Sequence, residues 1–254
     1  MTAFVSQPVP NPPGSGPLPP FGRTALLLDM DGTLLDIAPT PDQVVIPEEL
    51  PTILQRLRVA LDDALAVVSG RPIEQLEALL GDEPFALAGE HGGAIRYRPA
   101  AAVERVPLAS PDPAWQQEAA RLAEAHPGVL LEIKQHGFVL HYRAVPELGP
   151  ALHDALAELL RDTPAFILLP ARKAWEVRPA GADKGTAVAA LMRAAPFAGR
   201  LPLFIGDDVT DEDAIVAARQ LGGTGLRVPE VFGNPTGVRA WLKRATEIGA
   251  WPAL

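Results

Sequence analysis

The chain contains no cysteine. Disulfides, thiolate nucleophiles and cysteine-ligated zinc are therefore excluded. It also lacks any run of about 18 apolar residues, so no membrane-spanning helix is expected. No basic stretch leading into an apolar core stands at the N-terminus. No secretory signal is expected, and a soluble cytoplasmic protein is the default reading. Positive charge is scarce: 22 Lys and Arg against 31 Asp and Glu give a net charge of −9. Such a balance argues against non-specific binding to nucleic acid or anionic membranes, but not against a local site for a small anion. No repeat at a solenoid period is present. Hydrophobic residues make up 48% of the 254. That suits one large domain, or a core with a smaller insert, and the expected state is a monomer.

What is present is organised around Leu26 to Leu35, LLLDMDGTLL. The apolar run from Leu26 to Asp29 ends in a small polar cluster, the pattern of a buried parallel strand that stops where the chain turns. In open α/β sheets that carboxyl edge is where ligands sit. Within a strand Asp29 and Asp31 would face opposite sides, so they share a site only if the strand has ended. Gly32 permits a tight backbone that brings amides close to a ligand, and the Thr33 hydroxyl can bind an oxyanion. The competing reading is an ordinary surface turn of Asp and Gly. The order DxDGT resembles the first motif of the haloacid-dehalogenase-like phosphatases. Three further motifs of that superfamily follow in order: Ser69-Gly70-Arg71, Asp183-Lys184-Gly185, and GDDVTDED from Gly206 to Asp213.

Residues 1–22 are rich in Pro, Gly and Ser and are expected to form a disordered or polyproline-like tail. Beyond it, apolar strands and helical patterns alternate. Helices are expected over Pro47 to Ala60, Ile73 to Leu80, Lys184 to Arg193, Thr210 to Gln220 and Pro235 to Ile248. Strands are expected over Ala64 to Val68, Phe85 to Gly89, Leu203 to Ile205 and Gly225 to Val228. This alternation predicts a Rossmann-like, doubly wound α/β core. Between 97 and 178 it is interrupted by the order helix, two strands, helix, two strands, with a hairpin at Gln135-His136-Gly137. The expected organisation is therefore a catalytic core over 23–96 and 179–254, and an inserted α+β cap over 97–178. Such an insert can act as a lid that excludes water and selects substrate.

Five carboxylates, Asp29, Asp31, Asp207, Asp208 and Asp211, are expected at one sheet edge. Two bare carboxylates about 4 Å apart repel by about 4 kcal/mol at an effective dielectric of 20, so the group calls for a cation. Oxygen-only ligands favour a hard ion, and Mg²⁺ fits best. Lys184 supplies a compact positive charge for a phosphate. Asp29, at the strand end, is the expected nucleophile, forming an aspartyl-phosphate. Asp31, in a crowd of negative charge, is expected to hold a proton and act as acid and then base. Ser69 and Arg71 stand before a helix N-terminus, a ready anion site, with Arg71 either binding substrate or bracing the site. The superfamily resemblance implies that Asp29, the Asp31 main-chain carbonyl and Asp207 hold Mg²⁺. It places Asp208 and Asp211 behind them, and Thr33, Ser69, Arg71 and Lys184 on the phosphoryl group.

Four strings, GDDVTDED, DKG, Glu90-His91-Gly92-Gly93 and Glu176 to Pro179 (EVRP), resemble the trehalose-6-phosphate phosphatases over about residues 24 to 245. That resemblance implies sugar-binding roles for Glu132, Lys134, Arg143 and Glu176, with Arg172 where a lysine is usual and His91 as a wall or hinge of the site. Glu132 and Lys134 share one strand face, and carboxylate–hydroxyl bonds suit a sugar. Met30 replaces the bulky aromatic often found between the two aspartates. The alternatives are a phosphatase of another sugar phosphate, such as sucrose phosphate or mannosyl-phosphoglycerate, a phosphorelay receiver, and a non-catalytic sugar-phosphate-binding regulator. A receiver needs only about half this length and no cap.

Overall fold

The computed structural model describes residues 17–38, 43–134, 136–171 and 173–254. Most of the Pro-rich tail and Arg172 lie outside these residues. Strand β1 (Thr24–Leu28) is buried along its whole length, as a parallel strand covered on both faces must be. Its side chains alternate between two layers: Leu26 and Leu28 enter one core, Ala25 and Leu27 the other. The chain continues through α1 (Leu50–Ala60), β2 (Leu65–Val68), α2 (Ile73–Leu80), β3 (Ala86–Gly89), β4 (Ala94–Arg96) and β5 (Glu104–Arg105). Next come α3 (Pro113–Ala125), β6 (Leu130–Lys134), β7 (Gly137–His141), α4 (Gly149–Leu159), β8 (Phe166–Ala171) and β9 (Ala174–Pro179). The last elements are α5 (Lys184–Leu191), β10 (Leu201–Gly206), α6 (Glu212–Gln220), β11 (Thr224–Arg227), α7 (Val228–Val231) and α8 (Pro235–Ile248).

Contacts divide the chain into two compact units. One holds the chain up to Arg105 with Asp183–Asp207 and Asp211–Leu254; the other holds Val106–Ala182 with Asp208–Thr210. The first unit is built on a seven-stranded sheet of order β11-β10-β1-β2-β3-β4-β5. From β11 to β3 the strands run parallel, and β4 and β5 add an antiparallel edge. Helices α1, α2 and α8 pack on one face, α5 and α6 on the other. This is the doubly wound α/β core that the alternation predicts. Helix α8 shows why its bounds are readable: Asn234 caps it by accepting from Gly237 N at 3.0 Å, Pro235 opens it, and Gly249 ends it in a left-handed conformation. Val238, Trp241, Leu242 and Ala245 form its buried stripe, at the spacing of one helical face. Trp241 stacks on Trp251, centroids 4.9 Å apart, and Trp251 meets Phe21 edge-on at 4.7 Å.

The second unit is a four-stranded antiparallel sheet of order β6-β7-β9-β8. Phe138, Leu140, Val177 and Phe166 project from one sheet face into a core shared with Ala119 of α3 and Leu152 and Leu156 of α4. Because side chains alternate along each strand, Glu132, Lys134, His141 and Glu176 belong to the opposite, helix-free face.

Two details depart from the sequence reading. The insert was expected to begin at 97, but β4 and β5 carry the sheet to Arg105. Both strands are short, and β5 is exposed, so neither shows an apolar run. Part of the expected tail is also ordered: Pro17 O and Pro20 O accept from the hydroxyls of Thr224 and Thr24. Among the described residues no helix is long and apolar enough to cross a membrane.

Candidate active site

The parallel strands β10, β1, β2 and β3 end side by side at Gly206, Leu28, Val68 and Gly89. The next residues are Asp207, Asp29, Ser69 and Glu90, so the polar motifs far apart in sequence meet at one sheet edge. Asp29 continues the alternation of Ala25 and Leu27 and so faces the layer of α5 and α6. Lys184, the first residue of α5, meets it there. Its Nζ donates to Asp29 Oδ1 and to Asp211 Oδ1, each at 2.6 Å. All three side chains are buried. Asp183 fixes the start of α5 through a capping box: Oδ1 accepts from Thr186 N at 2.6 Å, and Thr186 Oγ1 accepts from Asp183 N at 3.1 Å.

Oxygens of Asp29, Asp207 and Asp211 all lie within 4.8 Å of one another. Asp211 Oδ2 accepts from Asp207 N at 2.9 Å, which ties the two residues together. Gly32 lets Asp207 approach: it has φ +87°, and a Cβ there would lie 2.2 Å from Asp207 Oδ2. Burial, then the charges of Asp211 and Asp207, push the Asp29 carboxyl well above the usual range, with Lys184 only partly compensating. Burial acts to lower Lys184, but Asp29 and Asp211 outweigh it and raise its pKa above the ordinary lysine value. Lys184 thus bridges Asp29 and Asp211, with Asp207 close beside them. Asp29 Oδ2 is buried without a protein hydrogen-bond partner, and so is Thr33 Oγ1. An all-oxygen, anionic cluster with an orphaned carboxylate oxygen fits a hard divalent cation.

Asp31 differs from expectation. Its neighbour is a guanidinium rather than a crowd of carboxylates: Arg71 Nε donates to Oδ2 at 2.6 Å and Nη2 to Oδ1 at 2.8 Å. The crowded carboxyl is Asp29. Of the two roles open to Arg71, this contact supports bracing. Gln75 Oε1 lies 3.4 Å from Arg71 Nη1, a partner the motif reading does not include. Ser69 Oγ accepts from Arg71 N at 3.2 Å and does not cap α2, whose N-cap is Pro72. Its hydroxyl proton remains available for donation. The Gly32 amide donates to Leu35 O at 2.7 Å within the turn. His91 is buried, with φ +54°, and donates its amide to Ser69 O at 3.0 Å. A Cβ at Gly70 would lie 2.5 Å from His91 Nε2, so the ring sits on the SGR loop.

The remaining predicted residues lie in the second unit. Lys134 Nζ donates to Glu176 Oε1 at 2.8 Å. Glu132 Oε2 is 2.8 Å from His141 Nε2, a residue the sequence reading passed over in favour of Arg143. The register Glu132↔Val139↔Glu176 aligns the two glutamates across three strands. Arg143 is exposed in the turn after β7, and Arg172 lies outside the described residues. Asp208 Oδ1 accepts from Val209 N at 2.7 Å, and Asp208 is not part of the three-carboxylate group.

A family model described as Trehalose-phosphatase matches residues 27–238. The chain is 38% identical over 207 residues to the trehalose-6-phosphate phosphatase of Escherichia coli, covering 81% of this chain and 77% of that one. It is 38% identical over 205 residues to a probable trehalose-phosphate phosphatase of Sinorhizobium fredii, covering 80% and 77%. Among solved structures, the C-terminal domain of a trehalose-6-phosphate phosphatase from C. albicans matches with a TM-score of 0.73 at 23% identity, over 89% of this chain and 93% of that one. By its family model and its relatives alike, the chain belongs to the trehalose-phosphatase family.

Proposed function

We propose that this protein is a Mg²⁺-dependent phosphatase that hydrolyses trehalose 6-phosphate to trehalose and phosphate. The observation that carries the reading is the buried Asp29, with one oxygen on Lys184 and the other without a protein partner, beside Asp207 and Asp211. Asp29, Asp207 and the Asp31 main-chain carbonyl would hold the metal. Asp211 would stand behind them, since its oxygens already accept from Lys184 and the Asp207 amide. Asp208 would act only at a distance. The bound ion supplies positive charge against the oxygens of the transferring phosphoryl group.

An oxygen of Asp29 attacks phosphorus, and the bond from phosphorus to the sugar oxygen breaks. Asp31 gives its proton to that departing oxygen. In the second half, Asp31 takes a proton from water, the water oxygen attacks phosphorus, and the bond to Asp29 breaks to release phosphate. Arg71 holds Asp31 as a two-point acceptor. A dianionic phosphate arriving at the same guanidinium competes for that grip and frees Asp31 to carry a proton. Thr33, Ser69 and Lys184 donate to the phosphoryl oxygens, and His91 braces the Ser69 loop.

The second unit is read as the cap that selects the sugar, with Glu132, Lys134 and Glu176 as hydrogen-bonding groups and Arg143 and Arg172 as further contacts. We read the enzyme as a cytoplasmic monomer; light scattering on the purified protein checks the latter. The deciding assay is phosphate release from a panel of sugar phosphates with and without Mg²⁺. Trehalose 6-phosphate is expected to be the best substrate, with turnover lost on chelation. Release from other sugar phosphates but not from this one rejects the assignment. Replacing Glu132 or Glu176 with Ala is expected to raise KM for the sugar phosphate far more than for a small aryl phosphate.

A further inference from the structure

Among the proposed sugar-binding groups, Glu132 is held from the neighbouring strand. His141, on the neighbouring strand β7, places Nε2 at 2.8 Å from Glu132 Oε2. A carboxylate can only accept, so the hydrogen must reside on Nε2. Glu176, two strands from Glu132 and therefore about 10 Å away at the backbone, is held in turn by Lys134 Nζ at 2.8 Å. Each carboxylate thus has a cationic or N–H partner on the helix-free sheet face. The His141–Glu132 pair is about one-third exposed at both ends. A pair so exposed contributes little to folding. Its worth lies in fixing one glutamate oxygen so that the other is already oriented for a hydroxyl, which removes an ordering cost from binding.

We propose that His141 is a positioning residue for substrate selection, holding Glu132 so that its second carboxylate oxygen accepts from a sugar hydroxyl. The inference rests on the reading of Glu132 as a sugar-binding group. The charged groups around Glu132 are Lys134 on its own strand, His141 on β7 and Glu176 on β9. The hydrogen bond from His141 is the largest influence on Glu132 and holds its carboxyl below the usual range; partial burial opposes it, Lys134 supports it and Glu176 opposes it. Removing His141 therefore moves Glu132 toward protonation at higher pH.

The test compares wild type, His141→Ala and His141→Gln on trehalose 6-phosphate and on a small aryl phosphate, with saturating Mg²⁺. His141→Ala is expected to raise KM for trehalose 6-phosphate about tenfold, the loss of one charge-assisted hydrogen bond, with kcat within about twofold. The acid limb of its kcat/KM profile should move to higher pH on the sugar substrate only. His141→Gln, which restores an N–H donor, should recover most of the KM. Aryl-phosphate turnover serves as the measure of an intact core. Equal losses on both substrates, an unchanged KM in the Ala variant, or a Gln variant as weak as Ala each overturn the proposal. Wild type inactive on trehalose 6-phosphate but active on another sugar phosphate instead overturns the substrate reading, and the His141 comparison is then decided on that sugar.

Discussion

Three carboxylates, with oxygens within 4.8 Å of one another, and one ammonium crowd the sheet edge, and single-residue changes there have sharply different consequences. Asp29→Asn keeps the shape and removes the attacking charge. Its phosphate release should fall by at least about 10³-fold, with an unchanged circular dichroism spectrum. Lys184→Ala leaves Asp29 and Asp211 buried without their shared cation, at an expected cost of about 3–5 kcal/mol in denaturant unfolding without divalent ions. Since Lys184 is raised above its ordinary value, its contribution is complete below the unfolded lysine pKa of about 10.4 and is lost only as pH rises through the folded value. The deficit of the variant should thus not shrink between pH 7 and pH 9. A deficit that shrinks between those values contradicts the assigned ion pairs. At this scale the motif spacing made Asp29, Lys184 and Asp207 legible. The grip of Arg71 on Asp31 and of His141 on Glu132 was not, because each joins side chains whose pairing depends on which strands and loops become neighbours. No local pattern records that.

Elements place these groups, and helix starts do much of the work. The capping box of Asp183 and Thr186 sets the first turn of α5, where Lys184 stands. Asp183→Ala should cost about 1 kcal/mol of stability and also lower kcat, since Lys184 loses its fixed origin. Asn234→Ala at the start of α8 removes a cap of the same kind, far along the chain from the site motifs. It should cost a similar amount and leave kcat alone. Equal kcat in the two variants would show that α5 needs no such anchoring. Helix bounds such as those of α2 and α8 were readable because proline, glycine and apolar spacing coincide there. β4 and β5 were not, because three- and two-residue strands acquire their identity only from the neighbour they pair with.

The whole molecule has two cores of different make. One is the pair of layers around the parallel sheet; the other is the single layer between α3, α4 and the antiparallel sheet. The α/β class was legible in the alternation of apolar runs, while the strand order, with β10 inserted beside β1, was not, since it depends on long-range pairing. Cation binding at the three-carboxylate site should stabilise the fold as a ligand does. Mg²⁺ should raise the Tm of wild type and have little effect on Asp207→Asn, as measured by differential scanning calorimetry. Trp251→Ala, which removes the stack on Trp241 and the contact with Phe21, should cost about 3 kcal/mol. That lowers Tm by roughly 6–12 °C without changing kcat. The pairing of Thr24 with Leu201 also has a bearing on biosynthesis. At roughly 5–20 residues per second, a ribosome needs on the order of ten to thirty-five seconds to supply the partner for the open flank of the first strand. Throughout that interval the nascent chain lacks the partner of β1 on one side, and a chain released before residue 211 lacks one member of the three-carboxylate cluster.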